Sequence, residues 1–169
     1  MKRFITYLLL LTLNVFSLFA QTGEVHILSV NDMHAAIERF PQLAYIVDSL
    51  RNVYPDLLVL SAGDNRTGNP INDIHPVSSK PVVDLMNKVG FNYSAIGNHE
   101  FDAGTDGLRT VINNAYFTFL CANMYALDSL RLHLQPFTFV ERNGIRIGIL
   151  GLVQTSEATG VPDAHPKYF

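Results

Sequence analysis

The chain has 169 residues, 48% of them hydrophobic, with 12 Lys plus Arg against 15 Asp plus Glu and a formal net charge of −3. That balance provides no basic groove for nucleic acid and no acidic run of the kind that stays disordered. A single cysteine, Cys121, excludes an intramolecular disulfide framework, and its apolar neighbours suit a small buried side chain rather than a nucleophile.

Residues 1–20 read as a secretory signal peptide. Lys2 and Arg3 form the positive start, Phe4 to Phe19 the apolar stretch and Ala20 the small residue before cleavage. Thr6, Thr12, Asn14 and Ser17 interrupt that stretch, which disfavours a permanent membrane anchor. The expected destination is the periplasm or the exterior, with membrane contact only during export.

The folded unit is expected over residues 24–169. Glu24 to Asn31 is a compact apolar run, a first strand, and Leu43, Ile46, Val47 and Leu50 then recur at helical spacing. Asp56 to Leu60 is a second strand, followed by a loop rich in Gly, Asn and Pro from Gly63 to Val77. Ser79 is placed to cap a helix with Pro81 in its first turn, Val82, Leu85, Met86 and Val89 as its buried stripe and Gly90 as its stop. Phe91 to Ile96 is a third strand, Thr105 to Ala115 a helix with Leu108, Val111 and Ile112 inward, and Phe117 to Ala122 a fourth strand. The rhythm then changes. Phe137 to Arg142 and Ile145 to Leu152 flank Asn143-Gly144, a strong signal for a two-residue hairpin turn. Strands alternating with helices predict an α/β fold, a parallel sheet with helices on its faces and a terminal β-hairpin. Nothing in the sequence points to repeats or an oligomer.

In such a sheet, ligands bind beyond the carboxyl ends of the strands. The first strand is followed by Asn31-Asp32-Met33-His34, the second by Gly63-Asp64-Asn65, the third by Gly97-Asn98-His99-Glu100-Phe101-Asp102 and the fourth by Asn123. One such residue would mean little, because Asp and Asn favour turns for local reasons. Four polar strand ends in succession, two of them with His, predict a shared site. Asp, His and Asn donors without thiolate suit divalent Zn, Mn, Fe or Mg. Asp32 and His34 could reach one ion, Asp64 could offer an oxygen to each of two, and Asn98 could add an uncharged amide oxygen. Gly63 and Gly97 remove side-chain bulk where backbone must approach the site.

Taken together, Asp32-x-His34, Gly63-Asp64 and Gly97-Asn98-His99-Glu100 with Asp102 resemble the successive motifs of calcineurin-like metallophosphoesterases. Leu28 to His34 and Ala95 to Asp102 are most similar to the secreted 5′-nucleotidase branch, and the resemblance covers roughly Val25 to Val153. It implies a metallophosphoesterase-type βαβ sandwich and two divalent metal ions, with Asp32 and His34 on the first, Asn98 on the second and Asp64 on both. His99 would be the catalytic cation beside the phosphate, Asp102 its orienting carboxylate, Glu100 structural and Asn123 a substrate contact. The implied substrate is a small phosphorylated molecule, a nucleotide, and the reaction hydrolysis. A cyclic nucleotide or UDP-sugar ester, or a non-catalytic metal- or phosphate-binding role, stands as the alternative. Further histidines complete both metal shells in this family, commonly as Gly-His and His-x-His steps. Neither His133 nor His165 matches them, so the expectation is an incomplete C-terminal side and weak or no activity for these residues alone.

Overall fold

The computed structural model describes residues 23–124, 132 and 134–156. Residues 1–20, which read as a signal peptide, and His133, His165 and residues 157–169 lie outside those residues. Four short strands, β1 (Ile27–Val30), β2 (Leu58–Ser61), β3 (Tyr93–Ala95) and β4 (Thr118–Leu120), form one parallel sheet in the order β1-β2-β3-β4. Their crossovers carry α1 (Phe40–Val53), α2 (Pro70–Asp73), α3 (Lys80–Val89) and α4 (Gly104–Asn114). Each strand thus lies next to its sequence neighbour, and right-handed crossovers of that kind bring every long helix to the same face.

The core agrees with this placement. Leu28, Val30, Val59 and Phe119 project from that face into one cluster with Phe40, Val47, Val82, Met86, Leu108 and Val111 of the helices. Among the described residues helical cover is therefore on one face. The other presents Ser29, Leu60, Tyr93, Ala95 and Leu120, which line a cleft of about 320 Å³ with Ile149 to Leu152. Most expected stripe residues point inward, but Ile46 does not: it is 46% exposed, and Phe40, 3% exposed, is buried in α1 instead.

Ser79 is a correction. It stands immediately before α3, but its backbone is left-handed, with φ 57°, and its side chain makes no capping hydrogen bond. A capping side chain needs extended backbone to reach the first turn. The role passes to Asn72 on α2, fully buried, whose Oδ1 accepts from Val82 N–H at 3.1 Å. At the other end Gly90 stops α3 as expected, with φ 80°. Arg51 on α1 donates to the carbonyls of Val89 and Gly90 at 2.7 and 2.6 Å, which locks the two helices together.

Phe137–Arg142 (β5) and Ile145–Leu150 (β6) pair antiparallel about Asn143 and Gly144, whose φ values of 51° and 76° suit a tight hairpin turn. The hairpin joins the edge of β4 through its flanks, as Cys121 N–H donates to Gln135 and Ala122 N–H to Gly151. Among the described residues no helix is long and apolar enough to cross a membrane.

Candidate metal centre

Parallel pairing aligns the carboxyl ends of all four strands, and the polar loops beyond them meet at that edge. The first two loops are zipped together: Asp32 N–H donates to Gly63 O, His34 N–H to Asp64 O and Ala35 N–H to Asn65 O, at 3.2, 3.0 and 2.8 Å. To make these bonds while turning their side chains toward one another, Asp32, His34 and Asp64 adopt left-handed backbone, with φ of 49°, 45° and 52°. Such conformations cost free energy for residues with a Cβ and cluster at functional sites.

His34, Asp64 and His99 offer ligand atoms that all lie within 4.8 Å of one another. Asp32 stands beside them, with Oδ1 3.8 Å from His34 Nε2, and Asn31 donates to its other oxygen at 2.7 Å. The His34 and His99 rings meet edge to face at 4.9 Å. His34 Nδ1 lies 3.1 Å from the Thr67 carbonyl. A carbonyl only accepts, so this contact fixes the proton on Nδ1 and leaves Nε2 free as a donor atom to a metal. Asn98 opens the short 3-10 turn Asn98–Phe101, directly before His99.

Asp64 Oδ1 accepts from the His99 N–H at 2.8 Å. This contact requires Gly97, since a Cβ there would fall 2.1 Å from Asp64 Oδ1. His99 Nδ1 lies 2.8 Å from Asp102 Oδ2, with both side chains about one-third exposed at 34% and 28%. Burial would lower the His99 pKa, but the Asp102 hydrogen bond and charge, then Asp64 and Glu100, outweigh it and raise the value above 6.5. The imidazole is thereby biased toward its cationic form.

Beneath the cluster Glu100 is 1% exposed. Its Oε2 accepts from the N–H groups of Asp64 and Gly97 at 3.0 and 2.7 Å, and its Oε1 from Asn65 N–H at 2.8 Å and Asn65 Nδ2 at 3.3 Å. Burial raises its pKa, opposed by the backbone bonds from Asn65 and Gly97. Asn65 also receives Ser61 Oγ at 2.5 Å and donates to Ser94 Oγ at 3.0 Å, so it links β2 to β3 below the site. In the sequence Asn65 is one of the polar residues after the second strand, with no signal of its bonds to Ser61, Ser94 and Glu100, although the Gly97-x-x-Glu100 spacing is that of a side chain reaching back to a helix start. Asn123 reaches the same edge, with its amide bonded at both ends to the Val153 backbone at 2.7 and 2.9 Å. Cys121 is buried, which raises the pKa of its thiol.

A parallel α/β sheet with a His and carboxylate cluster at its strand ends is a candidate metal-binding architecture. Residues 25–148 match the calcineurin-like phosphoesterase family, and the chain belongs to that family. It is 31% identical over 160 residues to Protein UshA of Yersinia enterocolitica, covering 88% of this chain and 28% of that protein. It is 34% identical over 122 residues to a probable 5′-nucleotidase of Treponema pallidum, covering 71% of this chain and 20% of that protein. Among solved structures, the NAD nucleotidase of Haemophilus influenzae superposes with a TM-score of 0.73 at 29% identity, over 80% of this chain and 27% of that one. The 5′-nucleotidase precursor of Thermus thermophilus gives 0.65 at 25% identity, over 76% and 28%. The chain therefore spans under a third of the length of these relatives.

Proposed function

We propose that the protein hydrolyses phosphoesters, releasing phosphate from 5′-nucleotides at a two-metal site to which this chain contributes Asp32, His34, Asp64 and Asn98. The observation that carries the reading is the convergence within 4.8 Å of His34 and Asp64, two of the proposed ligands, with His99, the proposed acid, from three different strand ends. Two features support a metal there: His34 keeps Nε2 available by anchoring Nδ1 to Thr67, and the hard or borderline donor set suits Zn, Mn, Fe or Mg. Kinship with proteins named 5′-nucleotidase supports the nucleotide as substrate. Residues 1–20 support export, so the proposed place of action is outside the cytoplasm.

Bound divalent ions supply charge neutralisation to the phosphate and acidify water at neutral pH. The chain's own residues do the positioning. Asp64 is held by the His99 N–H so that its carboxylate stays aimed into the cluster. His99 carries a proton on Nδ1 against Asp102, and the carboxylates around it raise its pKa and so favour a second proton on Nε2. That proton is available to the departing ester oxygen, whose negative charge otherwise makes it a poor leaving group.

The test is hydrolysis of AMP and p-nitrophenyl phosphate by the full-length protein with Mn²⁺ or Zn²⁺. His99→Ala should lower kcat by about 10²–10⁴-fold, the usual contribution of a positioned acid. Asp64→Ala should abolish both metal binding and turnover. Turnover that survives both substitutions would overturn the assignment.

A further inference from the structure

We infer that Glu100 is a positioning residue for the metal centre, holding Asp64 and His99 in register through a reciprocal clasp between two loops. The inference rests on the metal-site reading above and deepens it. The clasp has two halves. Three backbone N–H groups, of Asp64, Asn65 and Gly97, converge on the Glu100 carboxylate, and the Asn65 side chain adds a fourth donor. In return the loop that carries Glu100 sends the His99 N–H to Asp64 Oδ1. Each loop therefore supplies donors to a carboxylate on the other.

The geometry explains why this residue is an acid at a buried place. Four donors surround two oxygens, and only a carboxylate offers acceptors on both sides with no hydrogen of its own. Glutamine would turn an NH₂ group toward two N–H donors, whichever way its amide faced. Aspartate is one methylene too short to span from Gly97 to Asn65. The left-handed backbone at Asp64 is held from both sides, its carbonyl accepting from His34 N–H and its N–H donating to Glu100. Residues that orient metal ligands in this way typically change affinity by about 10–100-fold when altered.

The experiment measures Mn²⁺ affinity by calorimetry in the full-length protein, with amide hydrogen exchange read residue by residue in the metal-free state. Glu100→Gln should weaken Mn²⁺ binding by at least about tenfold and speed exchange at Asp64, Gly97 and His99 more than in the helices. Val83→Ala, a core change away from the site, serves as the control. It should lower Tm while leaving Mn²⁺ affinity and the relative exchange of those three amides unchanged. Should Glu100→Gln fail to fold, Asn65→Ala carries the test, with a smaller loss of affinity and the same selective rise at His99. Wild-type affinity in a folded Glu100 or Asn65 variant would overturn the inference, as would exchange that rises evenly along the chain. Failure of the metal-site reading looks different: wild type itself would bind no Mn²⁺, or Asp64→Ala would bind it unchanged.

Discussion

At the residue scale, the chemistry of the site depends on which atoms are already engaged. His99 has Nδ1 tied to Asp102, and His34 has Nδ1 tied to a carbonyl, so each imidazole is held in one orientation before any ligand arrives. The His99 case gives a pH prediction. In the metal-free protein, NMR should show its imidazole titrating above 6.5, and Asp102→Asn should bring it down. A pKa raised on folding means stabilisation that is complete below the unfolded value and disappears as pH rises through the folded value. The stability gap between wild type and Asp102→Asn, read by urea unfolding, should therefore be wider below about pH 6.5 and narrow above it. A gap that widens with pH would show that the Asp102 contact is not made to a protonated ring.

At the element scale, the long helices and the strands follow from apolar periodicity, while their ends follow from contacts that periodicity does not contain. Val82, Met86, Leu108 and Val111 are buried as their spacing requires. The loop from Gly63 to Val77 hid the short helix α2, because four residues are too few to show a helical pattern. Without α2 nothing in the sequence links Asn72 to Val82, and a serine directly before Lys80 reads as the cap. The two can be separated by substitution. Asn72→Ala should destabilise the fold by about 1–2 kcal/mol, the usual worth of a cap. Ser79→Ala should leave stability unchanged or raise it slightly, because its buried hydroxyl has no hydrogen-bond partner to lose. Chemical denaturation of both variants checks the pair, and a larger effect at Ser79 would restore it as the cap.

At the scale of the whole molecule, one cluster on one face of the sheet carries the packing. Met86, fully buried, sits in that cluster, so Met86→Ala should cost about 2–5 kcal/mol in urea unfolding. Ile46 shares the helical spacing of its neighbours but is 46% exposed, and Ile46→Ala should cost much less than the Met86 change. The sequence pattern could not make this distinction, because α1 begins at Phe40 and the precise rotation of a helix depends on what it meets. The residues brought to the site were easier to anticipate: parallel strands align their ends by geometry, and Asp32, His34, Asp64 and His99 all occupy those ends. What single-residue reading omits is the support below them, since Glu100 and Asn65 bond across intervals of 35 residues that no local spacing reveals. The contacts that pair β2 with β3 span a similar interval, from Leu60 to Tyr93 and from Ser61 to Ser94, so one loop closure serves both the sheet and the clasp. A chain in which those strands are unpaired consequently has no preformed donor cluster.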